Sequence, residues 1–262
     1  MDLQKLTREV CSLAIETGQF LKNEIERLKT SDIEFKGEHN FVTYVDKASE
    51  EMIIKRLSEI LPGSGFIAEE NPDLRTRDLT WIVDPLDGTT NFIHGVPLYC
   101  ISIGLMEQQE MILGVIYEVN LRECFYTWKS APSYLNDKPI RVSDTAKLSD
   151  CLFATGFPYY DYSLLDQYMD LFRYMMKNSH GVRRLGSAAA DLAYVACGRY
   201  DGFYEYGLSP WDVAAGSLIV KNAGGIISTF SGNDDFIFGK EIIATNSKVY
   251  KEFLDIIARS FA

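Results

Sequence analysis

The chain has 262 residues, of which 47% are hydrophobic and 24% charged, a composition typical of a soluble globular enzyme. Its formal net charge is −11, and the densest basic cluster is the pair Arg183-Arg184. Nucleic-acid binders usually carry a basic patch or stripe, so this balance argues against direct nucleic-acid binding. An acidic chain that handles an anionic substrate would need cations as mediators.

Cysteine usage and the apolar stretches predict a cytoplasmic protein. The five cysteines are odd in number, scattered in apolar contexts and without Cys-x-x-Cys spacing, which favours free thiols in a reducing compartment. The opening residues lack a basic region followed by an apolar core, so no secretion signal is indicated. The longest apolar stretch, 98–106, is too short to span a bilayer.

Two helices are predicted before the first strand. Apolar residues recur at helical spacing over 3–28 and again over about 47–61. Pro62-Gly63 would end the second helix. Asp46 directly precedes that helix and is expected to be its N-cap.

The middle of the chain predicts strands and an antiparallel meander. The predicted strands cover 65–68, 80–83, 99–107, 111–119 and 124–128. The polar, turn-rich segment 130–144 is expected to be a loop. It would separate two subdomains, about 1–145 and 146–262, of a single domain that spans 1–262.

The second half of the chain alternates between strands and helices, which is typical of an α/β fold. The predicted strands are 152–155, 202–206, 226–229 and 242–245, and the predicted helices are 163–177, 187–197, 211–222 and a last one from near Ser247.

The most informative segment is Trp-Ile-Val-Asp-Pro-Leu-Asp-Gly-Thr-Thr-Asn, residues 81–91. An apolar strand runs directly into two carboxylates, Asp84 and Asp87, although Asp is depleted in strand interiors. Pro85 stiffens the segment and Gly88 turns it. Two hard oxygen ligands at the end of a buried strand indicate a divalent-cation site.

Three further acidic positions lie at the ends of predicted elements: Asp46, Glu69 and Asp212. Each has an ordinary structural explanation as well. Asp46 fits an N-cap and Asp212 a charge in the first turn of a helix, where the helix dipole favours it. Glu69, with Glu70, fits a solvated loop. The residues alone leave both interpretations open.

Taken together, these segments resemble the inositol monophosphatase family. The likeness covers nearly the whole chain. Its motifs are residues 81–91, Trp-Asp-Val-Ala-Ala-Gly at 211–216, Gly-Phe-Ile-Ala-Glu-Glu at 65–70 and Val-Thr-Tyr-Val-Asp at 42–46, all in family order.

The resemblance implies two or three Mg²⁺ ions. Glu69, Asp84 and the backbone carbonyl of Leu86 would hold one ion, and Asp84, Asp87 and Asp212 a second. A third, weaker ion would be reached through Glu69 and, by way of water, Asp46. Inhibition by Li⁺ is expected as well.

The resemblance also implies the catalytic and phosphate-binding groups. Glu69, Thr89 and Asp46 would be catalytic, with Thr89 accepting a hydrogen bond from the attacking water and donating its own to Asp46. Gly88 and Thr89 are expected to open a helix whose backbone N–H groups face the phosphate. Lys36 matches a family position near the metals.

The polyol end of the substrate would meet a second set of residues. Gly186, Ser187 and Ala188 match the family segment that contacts inositol hydroxyls, and Glu205 matches a carboxylate that accepts from a ring hydroxyl. Asp87 and Asp212 would also face the substrate. Asp191 is expected to be structural or to orient a neighbouring basic side chain. Arg183 and Arg184 are interpreted as interface or core-pairing residues.

The implied fold is a layered α/β arrangement of helix pairs and mixed sheets, with the metal site between the two halves. The implied enzyme is a Mg²⁺-dependent phosphomonoesterase acting on inositol monophosphate, in the form of a cytoplasmic homodimer. Two alternatives stay open. One is the same chemistry on fructose 1,6-bisphosphate, histidinol phosphate or a nucleotide phosphate. The other is a regulatory binding protein in a transcription complex, as some bacterial relatives are.

Overall fold

The computed structural model of the chain describes residues 1–27, 33–37, 40–71, 75–158 and 161–261, and for 33–37 and 40–42 it describes the backbone alone. Within these ranges the fold is mixed α/β, as expected, with helices and mixed sheets in alternating layers. The predicted division into two subdomains near residue 145 stays a prediction.

The described part of the chain contains seven α-helices and one turn of 3-10 helix. The α-helices are α1 Leu3–Ile25, α2 Tyr44–Ile60, α3 Thr89–Ile93, α4 Leu165–Asn178, α5 Ala188–Ala196, α6 Pro210–Asn222 and α7 Tyr250–Ser260, and the 3-10 turn is Leu148–Asp150. The sequence predicted all seven, although α1 ends before Leu28, which lies outside the described residues, and α7 begins three residues later than Ser247.

The strands form a hairpin and two sheets. They are β1 Ile33–Gly37, β2 Asn40–Thr43, β3 Gly65–Ala68, β4 Leu79–Asp87, β5 Cys100–Glu107, β6 Glu110–Glu118, β7 Glu123–Trp128, β8 Ser133–Leu135, β9 Lys138–Ile140, β10 Leu152–Thr155, β11 Gly181–Arg183, β12 Gly202–Tyr206, β13 Ile226–Ser228 and β14 Glu241–Thr245.

Each of the two larger sheets mixes parallel and antiparallel pairs. The seven-stranded sheet follows chain order from β3 to β9, and β3 and β4 are its parallel pair. The five-stranded sheet has the order β11-β10-β12-β14-β13. Strand β10 is parallel to both of its neighbours, whereas β14 is antiparallel to β12 and β13.

Alternation along β4 shows how the layers are assembled. Trp81 and Val83 join the buried cluster that includes α1 and α2, while Ile82 joins the cluster around α5 and α6. Successive strand residues point to opposite faces, so the seven-stranded sheet is covered on both sides. Helices α4 and α7 pack with the five-stranded sheet in a third cluster. Helices α5 and α6 therefore lie between the two sheets.

Helix α6 approaches the seven-stranded sheet closely because paired glycines leave room for its backbone. Gly104 on β5 and Gly114 on β6 face each other across the ladder. A Cβ on Gly114 would lie 2.6 Å from the carbonyl oxygen of Ala215, which belongs to α6. This contact fixes the depth of α6, and the first turn of the same helix carries Asp212.

Two expectations about local structure were wrong. Asp46 is not the N-cap of α2: Thr43 is, and Asp46 is the third helical residue of a capping box. The helix starts earlier because Thr43 and Asp46 satisfy each other's backbone N–H groups. The segment 130–144 is not simply a loop, since β8 and β9 form a hairpin there with Asn136 and Asp137 at positive φ in the turn.

The close approach of α6 gives a test of the packing. We expect Gly114→Ala to lower the free energy of unfolding by about 2 kcal/mol, because the added methyl group meets backbone and overpacking usually costs 1–3 kcal/mol. Gly104→Ala is the matched control. Its Cβ would meet Met111 Cε, the end of a flexible side chain, so the cost should be smaller. Urea denaturation measures both, and equal or reversed costs would contradict this packing.

Candidate metal centre

Strand β4 ends in two carboxylates that a β-bulge allows to face the same space. Asp84 is opposite Ser102 on β5 and Asp87 is opposite Cys100, so three steps along β4 match two along β5. In a regular strand, residues three apart point to opposite faces, and the extra residue of a bulge corrects this. Asp84 Oδ1 also accepts a hydrogen bond from the Leu86 N–H at 2.9 Å, which fixes its direction.

The third carboxylate comes from the first turn of α6. Asp212 is part of a capping box and accepts a hydrogen bond from the Ser209 N–H at 2.6 Å. Ser102 Oγ donates to the Trp211 carbonyl at 3.1 Å and ties this turn to β5. As a result, one carboxylate oxygen from each of Asp84, Asp87 and Asp212 lies within 4.8 Å of the others.

Burial and mutual repulsion make this cluster electrostatically costly without a cation. Burial raises the pKa of Asp84 well above its usual value, and the negative charges of Glu69, Asp87 and Asp212 raise it further. The pKa of Asp212 is raised well above its usual value by burial and then by Asp87. Burial raises the pKa of Asp87 to about 6. A divalent cation would relieve this repulsion, and an all-oxygen donor set fits a hard cation.

Glu69 directly follows β3 and lies close enough to act on the cluster. Its negative charge contributes to the raised pKa values of both Asp84 and Asp212. The chain beside it is fixed by Glu50, a buried residue of α2 whose carboxylate accepts the Glu70 N–H at 2.7 Å. Glu69 therefore lies near enough to the three aspartates to stay a metal-binding candidate.

Asp46 and Thr89 form the hydrogen bond that the resemblance implies. Thr89 Oγ1 lies 3.0 Å from Asp46 Oδ1 and 3.0 Å from the Leu86 carbonyl oxygen, so its proton has two acceptors. The other Asp46 oxygen accepts from the Thr43 N–H at 2.8 Å and the Thr43 hydroxyl at 2.7 Å. Asp46 is buried, and burial raises its pKa. These bonds hold Thr89 in one orientation beside the bulge.

Gly88 begins α3 in a conformation that requires glycine. Its φ is 100°, a left-handed value that other residues rarely adopt. A Cβ there would also lie 3.2 Å from the Leu98 carbonyl oxygen and 3.3 Å from that of Gly186. Helix α3 has only five residues, so the short N-terminal turn offers backbone N–H donors rather than a large dipole.

A small cleft opens beside the carboxylates. Its lining includes Asp87, Asp212, Gly186, Ser187, Ala188 and Glu205. All six were expected at the polyol end of the substrate or facing it, and Ser187 Oγ donates to Asp87 Oδ2 at 2.7 Å. Burial raises the pKa of Glu205 to about 8, with the nearby charge of Arg184 opposing the shift.

The backbone at Gly156 lies directly against the Glu205 carboxyl. A Cβ on Gly156 would lie 1.9 Å from Glu205 Oε1, so a side chain there would displace the carboxyl from its position. Gly156 was given no role from the sequence, although a glycine directly after a predicted strand often marks a close backbone approach.

Arg184, Asp191 and Lys36 have different outcomes. Arg184, interpreted as an interface or core-pairing residue, lines the cleft with its guanidinium 5.6 Å from the ring centre of Phe157. Asp191 is buried in the cleft wall, and the charge of Arg184 acts on its carboxyl, which agrees with a partner for a basic side chain. The side chain of Lys36 lies outside the described residues.

Comparison with known proteins decides the family. The profile of the inositol monophosphatase family matches residues 2–260. The chain belongs to the inositol monophosphatase family. It is 38% identical to an inositol-1-monophosphatase of Mesorhizobium japonicum, over 94% of this chain and 93% of the relative. It is also 38% identical to Nus factor SuhB of Pseudomonas aeruginosa, over 97% of this chain and 96% of the relative.

A solved structure shares the fold over its full length. The extragenic suppressor protein suhB of Bartonella henselae superposes with a TM-score of 0.90 and is 36% identical, covering 97% of this chain and 98% of that one. Family and fold together support a phosphatase. Within the described residues, no helix combines the length and apolarity needed to cross a membrane.

The pKa values predict how the stability of the metal-free protein depends on pH. Glu205 has a folded-state pKa of about 8 against 4.5 in an open chain. A carboxyl with a raised pKa stabilises the fold below the unfolded value, and that contribution is lost as the pH rises through the folded value. With chelator present, we expect the melting temperature to fall between about pH 5 and pH 8.

Glu205→Gln isolates the contribution of this group, because glutamine stays neutral at every pH. We expect the variant to lose part of the decline in melting temperature, while Glu59→Gln, a change at an exposed helix position, keeps the full decline. A decline as steep in Glu205→Gln as in the unchanged protein would contradict the raised pKa.

Proposed function

We propose that the protein is a Mg²⁺-dependent phosphomonoesterase that hydrolyses myo-inositol monophosphate, or a similar polyol phosphate, to the alcohol and inorganic phosphate. The observation that supports this most is the convergence of Asp84, Asp87 and Asp212 from segments more than a hundred residues apart. The cleft with Glu205 lies directly beside them.

In this proposal the carboxylates hold two or three Mg²⁺ ions. Glu69, Asp84 and the Leu86 carbonyl would hold one ion, Asp84, Asp87 and Asp212 would hold another, and Glu69 and Asp46 would be available to a weaker third. When bound, the ions supply Lewis-acid chemistry: they neutralise phosphate charge, lower the pKa of water and stabilise the leaving alkoxide. Magnesium is favoured because the donors are oxygen atoms and the ligand is a phosphate ester.

The protein's own groups then position the attacking water and the phosphate. While its hydroxyl donates a hydrogen bond to Asp46, Thr89 Oγ1 keeps lone pairs that accept a hydrogen bond from water. The Thr43 bonds hold Asp46 in position to accept the hydrogen bond from Thr89. The backbone N–H groups that follow Gly88 face the phosphate. Water attacks phosphorus in line, and no covalent intermediate forms with the enzyme.

At the other end of the cleft, Glu205 accepts a hydrogen bond from a substrate hydroxyl. Gly186, Ser187 and Ala188 supply a close backbone wall, and α5 begins there with Ser187 as its N-cap. Lys36 remains a proposed contact near the metals. A buried carboxyl that meets a hydroxyl in a small cleft selects polyols over apolar alcohols, because an apolar partner would leave the carboxyl unsatisfied.

Asp87→Asn tests the metal assignment. The amide oxygen can still accept from Ser187 Oγ and the Ala189 N–H, which both lie 2.7 Å from Asp87 Oδ2, so the fold should be kept. The negative charge is lost, and we expect phosphate release from myo-inositol 1-phosphate to fall roughly 100-fold or more. Asp144→Asn, the same change at an exposed position, is the control. Unchanged turnover in a folded Asp87→Asn protein would refute the assignment.

A substrate panel separates this proposal from the alternative substrates. Released phosphate is measured with myo-inositol 1-phosphate, fructose 1,6-bisphosphate, histidinol phosphate and a nucleotide monophosphate while Mg²⁺ is titrated. We expect the highest kcat/KM with the inositol ester and no release without a divalent cation. A higher value with another ester would move the assignment to that substrate class.

The names of several relatives favour a second candidate function. Proteins of Pseudomonas aeruginosa and Escherichia coli that align over more than nine tenths of this chain are called Nus factor SuhB. A regulatory binding role in a transcription complex is therefore the second candidate, and it is compatible with retained carboxylates. Co-purification with RNA polymerase components, with and without Mg²⁺, measures it.

Two further properties are proposed from the family likeness. One is inhibition by Li⁺. The other is a homodimer, and the described surface offers an apolar stripe for it: Leu165, Met169 and Met176 of α4 are each at least 38% exposed and lie on one side of the helix. Sedimentation equilibrium measures the oligomeric state.

A further inference from the structure

Asn91 closes the motif 81–91, and the proposed chemistry gives it no task. It lies in α3, and its side-chain amide donates two hydrogen bonds. One goes to the Leu98 carbonyl oxygen at 2.8 Å and the other to the Leu185 carbonyl oxygen, also at 2.8 Å. The second bond joins residues 94 apart in the sequence. A single neutral amide thus links α3 to a loop in the second half of the chain.

Of the two segments joined by Asn91, the loop lines the cleft, and α3 follows closely after Asp87, which lines it too. Gly88 is the N-cap of α3 and Thr89 is its first residue. The loop 184–187 lies between the paired part of β11, which ends at Arg183, and the start of α5. Arg184, Gly186 and Ser187 of this loop line the cleft. Any shift of the loop against α3 would change the distance between the phosphate and polyol ends.

The amide fits closely against the loop backbone. Gly186 has a φ of 93°, and a Cβ on it would lie 3.0 Å from Asn91 Nδ2 and 3.2 Å from Asn91 Oδ1. The carbonyl of the same glycine faces Gly88, where a Cβ would be 3.3 Å from it. The loop therefore contacts α3 at two places: Gly186 lies against the Asn91 side chain, and its carbonyl lies against Gly88.

Helix α3 has its own anchor, so the loop is the part that Asn91 positions. Phe92 is fully buried, and its ring meets Tyr99 edge to face at 5.2 Å between centroids. The loop has a second tie through Asp87, which accepts from Ser187 Oγ and the Ala189 N–H. Asp87 is also a candidate metal ligand, whereas both acceptors of the Asn91 amide are backbone carbonyl oxygens.

We propose that Asn91 is a positioning residue that holds the loop 184–187 at a fixed distance from α3, and so sets which alcohols fit between them. This rests on the proposed phosphatase function for its kinetic consequences only. The hydrogen bonds themselves predict an ordering of the loop that can be measured without activity.

Asn91→Asp tests the proposal, because a carboxylate of the same shape cannot donate to two carbonyl oxygens. Asn222→Asp is the matched control: Asn222 Nδ2 also donates to two oxygens, at Thr127 and Trp128, away from the cleft. With myo-inositol 1-phosphate we expect Asn91→Asp to raise KM about 10-fold and to change kcat less than about 3-fold. With 4-nitrophenyl phosphate, which lacks the polyol, both constants should change less than about 3-fold.

Hydrogen exchange of the same proteins supplies the second readout. We expect amides of 184–190 to exchange faster in Asn91→Asp, with 89–93 unchanged, and no change at either segment in Asn222→Asp. If Asn91→Asp does not fold, Asn91→Ala takes its place. Equal losses with both substrates, or unaltered exchange at 184–190, would overturn the proposal. Absence of phosphate release in the unchanged protein would instead refute the proposed function, and exchange would still decide the role of Asn91.

Discussion

The structure depends on holding several like charges together out of water. Asp84, Asp87 and Asp212 meet within 4.8 Å at a largely buried position, and Glu69 adds a fourth negative charge nearby. Repulsion and desolvation both oppose this arrangement, as the raised pKa values show. A protein can keep such a cluster in its charged form only if the backbone fixes each carboxylate and a cation compensates the charge; without a cation, the raised pKa values favour protonation. The layers of the fold supply the first condition.

One local device is used twice to meet that condition. Asp46 and Asp212 are each the third helical residue of a capping box, in Thr43-Tyr-Val-Asp46 and Ser209-Pro-Trp-Asp212. In each case one carboxylate oxygen accepts a hydrogen bond from the backbone N–H of the N-cap residue. This bond directs the rest of the carboxylate toward the site. In β4, the β-bulge between Asp84 and Asp87 directs both carboxylates toward the site. The same hydrogen bonds therefore stabilise the helix starts and orient the candidate site residues.

Much of this could be read from the sequence, because apolar periodicity and the motif at 81–91 are local signals. The element order and the acidic positions came from such signals. The position of the N-cap of α2 was missed although Thr43-x-x-Asp46 is a capping-box pattern. The place of Arg184 in the cleft and the two bonds of Asn91 depend on contacts between distant segments, which no single stretch of sequence encodes. Only the three-dimensional structure shows these contacts.

Anomalous diffraction from crystals grown with Mn²⁺ tests the central claim most directly, because Mn²⁺ accepts the same oxygen ligands as Mg²⁺ and is visible by its scattering. The account predicts a strong peak within bonding distance of carboxylate oxygens of Asp84, Asp87 and Asp212, and loss of that peak in Asp212→Asn. A saturated crystal with no peak between these three side chains would contradict it.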